Sequence, residues 1–274
     1  MSVLLQISDP HFGSERPAAV EALFRFVEKL GPDLVMLSGD ITQRARAKQF
    51  EAAAAFMRSL KVPNRLVIPG NHDIPLFDLA TRFLNPYGRY QKAFGPELEP
   101  SYEARDCLVL GVNSTRPYRV TDGEISEPQR ERVARALRAA SPTQLRVVVL
   151  HHPVAVPREA EVHNLAHGSV DAVRAWSEAG ADVILAGHIH LPFVLPLHEL
   201  VRDLKNPIWA VNAGTSVSTR TRRDAGNSVN VLRTSLTEPR VCTVEQWTFG
   251  RASPAFERNA ELRLTSAASA ILTP

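Results

Sequence analysis

Hydrophobic positions in this chain fall into short unbroken runs separated by longer stretches at helical spacing. Val3 to Ile7 is the first run, interrupted only by Gln6. Val20, Leu23, Phe24, Val27 and Leu30 then recur at intervals of three and four, which predicts a helix, and Gly31-Pro32 stops it. Leu34 to Leu37 and Leu66 to Ile68 are further strand-like runs, with an alanine-rich helix between them from about Arg44 to Leu60. This βαβαβ order predicts a parallel sheet with right-handed crossovers. The rhythm returns with strands at Cys107 to Val112, Leu145 to Leu150 and Val183 to Ala186. Between them lie a helix opened by a capping box, Ser126-Glu127-Pro128-Gln129, and running to about Ala140, and a helix from about Ser169 to Ala179.

Two regions break the pattern. Residues 75–100 carry Phe77, Phe83, Tyr87, Tyr90 and Phe94 among several Pro and Gly. They are read either as helical or irregular and packed over the strand ends as a cap, or as an ordinary long connection. Late in the chain, Ile208 to Asn212, Ser228 to Thr234 and Val241 to Trp247 form short strands with no helix between them, which predicts a second, mainly antiparallel sheet. There is no internal repeat and no linker. One domain over residues 1–250 is expected, with 251–274 as an extension of unassigned role.

Composition narrows the class more than the function. The 274 residues are 44% hydrophobic and 22% charged, with a formal net charge of +3, so a sizeable core is expected and disorder is not. The densest basic cluster is Arg220, Arg222 and Arg223, too small a patch to argue for a nucleic-acid partner. Cys107 and Cys242 sit singly in apolar runs, as buried thiols of a reducing compartment do. No apolar run approaches the ~20 residues of a membrane span. The first residues run into a strand without a basic leader, so a cytoplasmic location is expected.

The chemistry lies at the ends of the predicted strands. Asp9-Pro-His11, Gly39-Asp40, Gly70-Asn71-His72-Asp73, His151-His152-Pro153 and Gly187-His188-Ile189-His190 all stand there, and all carry metal-ligating residue types. Strand ends are where an α/β fold gathers distant residues into one site. In a strand, residues two apart point the same way, so Asp9 with His11, and His188 with His190, are expected to share a direction. Two Asp, one Asn and several His suffice for two divalent ions bridged by one carboxylate. Two such ions about 3.5–4 Å apart suit phosphoryl transfer. Carboxylate, carboxamide and imidazole, without thiolate, leave Mn²⁺, Fe²⁺, Zn²⁺ and Co²⁺ all open. His198 is read as structural, while His163 and His167, in the loop after His151, remain candidates to line the cleft.

In order and spacing these five motifs resemble the signature of the calcineurin-like metallophosphoesterases, over about residues 3 to 250. The resemblance implies a four-layer αββα sandwich with two central mixed sheets. It implies that Asp9, His11, Asp40 and His190 bind one metal and that Asp40 bridges. Asn71, His151 and His188 would complete the other site, with His152 behind them. A hydroxide bridging the metals would attack phosphorus, and His72 would assist the leaving group or the transition state. Asp73 would either orient the His72 ring or cap the following turn.

Departures refine the resemblance. The Asp-Arg-Gly of protein phosphatases is missing after Asp40, and Gln43 stands where purple acid phosphatases carry an iron-binding Tyr. The acidic residue and larger size of the recombination nucleases are also missing. What remains is similar to the bacterial phosphodiesterase branch, the class III cyclic-nucleotide phosphodiesterases and glycerophosphodiesterases. Asp122-Gly123-Glu124-Ile125 and Ala213-Gly214-Thr215-Ser216 are like segments of that branch. Asn113, Arg116, Arg220 and Arg222 are candidates for substrate contact. The implied substrate is a small phosphodiester, with a phosphomonoesterase acting on a nucleotide or sugar phosphate, or a scaffold without catalysis, as alternatives. By analogy with that branch, a homodimer or larger assembly is implied.

Overall fold

In the computed structural model, residues 1–235, 237–250, 254–265 and 271–272 are described. The apolar runs become strands and the spaced segments become helices. β1 (Val3–Ile7), α1 (Pro17–Leu30), β2 (Leu34–Ser38), α2 (Ala47–Ser59) and β3 (Asn64–Ile68) follow in order. β1, β2 and β3 pair in parallel. Gly31 ends α1 at φ 60, its N–H reaching the Val27 carbonyl, a conformation glycine adopts without the Cβ penalty.

Next come α3 (Leu79–Leu84), α4 (Gly88–Phe94), β4 (Ser101–Glu103) and β5 (Cys107–Val112). They are followed by α5 (Glu127–Ala139), β6 (Leu145–Leu150), α6 (Ser169–Glu178) and β7 (Val183–Ala186). At the start of α5 the Gln129 side chain accepts the Ser126 N–H at 3.0 Å, the returning half of the capping box. The chain continues through β8 (Phe193–Pro196), α7 (Leu197–Leu200), β9 (Trp209–Asn212), β10 (Ser228–Thr234), β11 (Cys242–Phe249), β12 (Phe256–Leu264) and β13 (Ile271–Leu272).

The late strands do not form a sheet of their own, contrary to the sequence expectation. β9 pairs in parallel with β7, inside a six-stranded sheet ordered β4-β5-β6-β7-β9-β8. β10 crosses back to pair antiparallel with β1, and the seven-stranded sheet reads β13-β12-β11-β10-β1-β2-β3. Both sheets are therefore mixed. β12 pairs with β11 along its length, so the first sheet continues past residue 250, where the sequence reading ended the domain. The rest of that predicted extension, 251–253, 266–270 and 273–274, lies outside the described residues.

Side-chain alternation divides these strands among three apolar layers. Val3, Leu5 and Ile7 pack against α1 and α2, while Leu4 turns the other way to meet Val147, Val149 and Leu185 of the second sheet. Leu110, Val148, Leu150 and Ile184 face α5 and α6. The order helix, sheet, sheet, helix is the four-layer sandwich. Strands buried on both faces read as continuous apolar runs for this reason. Gln6, the one polar residue in β1, is fully buried and links the sheets: its amide donates to the Ala186 carbonyl at 2.9 Å, and its oxygen accepts from Asn230 at 3.0 Å.

The segment 75–100 divides in two. α4 packs on α2 rather than over the strand ends, with the Tyr90 hydroxyl donating to the Val67 carbonyl at 2.7 Å and its ring against Phe50. Residues 75–84 run along the rim of the cluster described next.

Candidate metal centre

The strands deliver the five motifs to the same edge of the sandwich. Asp9 and His11 follow β1, Asp40 follows β2, Asn71 and His72 follow β3, His151 follows β6, and His188 and His190 follow β7. These ligand-type residues lie just beyond strand ends, not within strands. Asp9, His11, Asp40, His188 and His190 hold φ between 44° and 69°, five of the eight described non-glycine residues with positive φ. Alternation along a strand therefore does not explain why Asp9 and His11 converge. Left-handed backbone turns them, a conformation that costs a non-glycine residue about 1–3 kcal/mol and collects at functional sites.

Hydrogen bonds fix the imidazole tautomers. His190 Nδ1–H donates to the Arg220 carbonyl at 2.6 Å, which leaves Nε2 as a lone pair when the ring is neutral. That lone pair faces His11 Nε2 at 3.0 Å and Asp9 Oδ1 at 3.2 Å, and Asp9 Oδ1 is buried with no hydrogen-bond partner. His151 Nδ1–H donates to the Ser38 carbonyl at 2.9 Å, so in the neutral ring its Nε2 lone pair faces Asn71 Oδ1 at 3.2 Å and Asp40 Oδ1 at 3.3 Å. Asn71 shows its oxygen inward because its amide nitrogen reaches the Val120 carbonyl at 3.4 Å. His188 stacks edge-on against His151, and its Nδ1 is buried and unpartnered. With these rings neutral, lone pairs converge on lone pairs, a repulsion that a shared cation would relieve. The donor set of carboxylate, carboxamide and imidazole fits two divalent ions.

Asp40 stands between the two groups. Its Oδ1 is the atom near His151, while its Oδ2 is 3.7 Å from His11 Nε2. The electrostatics agree with a site short of positive charge. Burial opposes ionisation of Asp9 and Asp40, yet the neighbouring His190 and His151 outweigh it and hold both carboxyls below their usual range. Burial works against a charged His151, but Asp40 beside it overcomes this and raises the ring to about 9. Burial drives His11 down to about 3 and His188, aided by the His151 charge, down to about 4. The cluster distributes protons unevenly among histidines that could all serve as neutral ligands.

Glycines permit this crowding. A Cβ on Gly70 would lie 2.0 Å from the Asp40 nitrogen, and one on Gly187 would lie 2.5 Å from Asp9 Oδ2.

The other sequence candidates separate clearly. His152 keeps both ring nitrogens occupied, by the Ser114 hydroxyl at 2.8 Å and the Thr121 carbonyl at 3.0 Å, so it packs behind the cluster. His72 sits at the opening, its Nδ1–H on the Gln43 carbonyl at 2.9 Å. Asp73 does not orient the His72 ring. Its carboxylate accepts the N–H groups of Gly70, Ile41 and Thr42 at 2.9, 3.0 and 2.8 Å and clamps two ligand loops together. Arg220 reaches the opening, its Nη1 at 3.2 Å from His72 Nε2 and 3.3 Å from Gln43 Oε1.

Arg222 is turned to the Ile189 carbonyl and to Glu161. Arg116 and Asn113 are absorbed at the start of α5: Arg116 bonds Gln129 and faces Glu124, and Asn113 Oδ1 closes a turn onto Thr115. His163 is exposed, and His167 is an exposed partner of Asp122 at 3.7 Å. His198 packs on Trp209, as a structural histidine does.

Sequence reasoning missed Ser8, whose hydroxyl donates to Asp9 Oδ2 at 2.6 Å, and Thr215, whose hydroxyl donates to the Asp9 carbonyl at 2.6 Å. It also missed Gln43 as the anchor of both His72 and Arg220. The polar segment Ala213 to Ser216 was the available signal for Thr215.

Residues 2–192 match the calcineurin-like phosphoesterase family. The chain is 26% identical over 204 residues to a probable cyclic nucleotide phosphodiesterase of Synechococcus sp., covering 70% of this chain and 74% of that protein. It is 26% identical over 200 residues to the 3′,5′-cyclic adenosine monophosphate phosphodiesterase CpdA of Escherichia coli, covering 68% and 69%. A dimetal phosphatase from Danio rerio superposes with a TM-score of 0.68 at 12% identity, covering 97% of this chain and 99% of that one. A purple acid phosphatase from yellow lupin seeds gives 0.70 at 13% identity, covering 94% of this chain. The chain spans about half the length of the lupin protein, 52%. At such identities these structures speak for the fold alone. Among the described residues no helix is long and apolar enough to cross a membrane.

Proposed function

The chain belongs to the calcineurin-like phosphoesterase family, and from that premise we propose that it hydrolyses a small phosphodiester with two divalent metals. Asp9, His11, Asp40 and His190 would hold one metal. Asp40, Asn71, His151 and His188 would hold the other. The observation that carries this reading is the carboxylate of Asp40, with one oxygen toward each group of converging lone pairs. When bound, the two metals supply an activated water and neutralise charge on the phosphoryl oxygens.

The remaining work falls to the chain's own side chains. Arg220 carries a guanidinium at the opening and is the fixed positive group for a phosphoryl oxygen. His72 has its Nδ1–H committed to Gln43, so Nε2, which here faces the Arg220 guanidinium, is the nitrogen that must take up a proton before the ring can donate to the leaving oxygen. Ser8 and Thr215 hold Asp9 in its turn. A cyclic nucleotide is the favoured diester, because the relatives from Synechococcus sp. and Escherichia coli carry cyclic nucleotide phosphodiesterase names.

The test is hydrolysis of 3′,5′-cyclic AMP and of bis(p-nitrophenyl) phosphate by protein stripped with chelator and refilled with Mn²⁺. Metal-dependent turnover of both is expected. Turnover of the generic diester alone would move the substrate to glycerophosphodiesters and other small diesters. Turnover of neither, with a phosphomonoester hydrolysed, would overturn the diester reading.

A further inference from the structure

The rim carries a surface that the phosphoryl chemistry does not use. Five residues after His72 the chain presents Phe77, 81% exposed. The Arg44 guanidinium stands 5.7 Å from the centre of its ring. Arg44 directly follows Gln43, which binds His72 through its carbonyl and Arg220 through its side chain. Among the described residues the Arg44 guanidinium has no carboxylate partner.

The loop that displays Phe77 is held rigidly. Arg82, 3% exposed, donates to the carbonyls of Pro75 at 3.0 Å, Pro117 at 2.6 Å and Arg119 at 2.6 Å. One buried guanidinium thus ties residues 75–84 to 117–119, and the next carbonyl, Val120, holds the amide of Asn71. A buried arginine fork satisfied by three carbonyls is a costly way to fix a surface loop, and the product here is an exposed aromatic face in a set orientation. An exposed, pre-oriented ring with an unpaired guanidinium against it recognises a planar, electron-rich ring system.

We propose that Phe77 and Arg44 form a nucleobase subsite, on which the base of a nucleotide substrate stacks while its phosphodiester lies at the opening beside Arg220 and His72. This rests on the phosphodiesterase reading above and specifies its substrate class. The subsite selects diesters that carry a heteroaromatic ring over those that carry glycerol alone.

The experiment compares kcat/KM on 3′,5′-cyclic AMP and on glycerophosphoethanolamine, in the Mn²⁺-refilled protein, for the parent chain, Phe77→Ala, Phe77→Trp and Arg44→Ala. Calorimetric titration with adenosine monophosphate runs beside it and needs no turnover. Loss of the stacking platform should raise KM for cyclic AMP about tenfold in Phe77→Ala and weaken nucleotide binding by a similar factor. The preference for cyclic AMP over the glycerol diester should fall by about the same amount. Phe77→Trp should retain that preference, and Arg44→Ala should lose part of it. Unchanged nucleotide affinity and unchanged preference in Phe77→Ala would overturn the subsite. Absence of diester turnover in the parent chain would strike the phosphodiesterase reading instead, and the titration would then still decide the subsite.

Discussion

Gly70→Ala tests how tightly the two ligand loops are pressed together. An ideal Cβ at this position lies 2.0 Å from the Asp40 nitrogen, 2.3 Å from Asp40 Oδ1 and 2.8 Å from Asp40 Cα. Ordinary contact begins near 3.4 Å, so one loop must move by about 1.4 Å. The obstacle is backbone, which cannot rotate aside. The Asp73 carboxylate opposes the movement, because it binds the N–H of Gly70 on one loop and those of Ile41 and Thr42 on the other. Separation breaks at least one charge-assisted hydrogen bond in a buried site, beyond the overpacking itself. Together these cost about 3 kcal/mol or more. In a chain of this size that lowers Tm by about 6–12 °C. The same movement draws Asp40 away from His151, 3.3 Å distant, so one bound metal should weaken more than the other. Thermal denaturation of metal-free and Mn²⁺-refilled protein, with elemental analysis, reads both effects. Gly226→Ala is the control, since its Cβ meets a Thr248 methyl at 3.3 Å and the Phe249 carbonyl oxygen no closer than 3.9 Å. A Gly70→Ala protein with the parent Tm and full metal content would refute the packing argument.

Other expectations are simpler to state. Asp40→Ala should lose both metals by elemental analysis, whereas Asn71→Ala should lose mainly one; full occupancy in Asp40→Ala would remove its bridging role. His72→Ala should keep both metals while turnover falls about 10²–10⁴-fold, and undiminished turnover would exclude His72 from the reaction. Asp106 is held at about 2 because hydrogen bonds from Ser2 and Thr234 outweigh the opposing effect of burial. A depressed folded pKa gives stability that is present above 3.8 and lost as pH falls through about 2. Urea midpoints measured between pH 7 and 2 should therefore fall less steeply in Asp106→Asn, and identical slopes would contradict this.

Much of the fold was legible along the chain. β5 and β7 fall where unbroken apolar runs predicted them, and β1 and β6 where runs broken by a single polar residue did, because a strand covered on both faces needs few polar residues. The motifs were legible because each follows such a run, and the end of a strand is a property of local sequence. Gly31 and the Ser126-Gln129 box marked helix ends for the same local reason.

What the sequence left open depends on which distant segments become neighbours. Apolar runs identify β9 and β10 as strands, but not that one joins β7 and the other returns to β1. That choice is made by the match of side chains across layers formed by residues more than two hundred positions apart. Residue type did not announce the left-handed backbone at Asp9, His11, Asp40, His188 and His190, because Asp and His adopt it only where surrounding contacts impose it. Asp73, Arg116 and Asn113 are polar residues beside a motif, and sequence alone cannot say whether their hydrogen bonds go to substrate or to backbone. The tertiary structure decided this by placing three backbone N–H groups around Asp73 and the start of α5 around Arg116, since a buried polar group takes whichever partners the packed chain brings within reach.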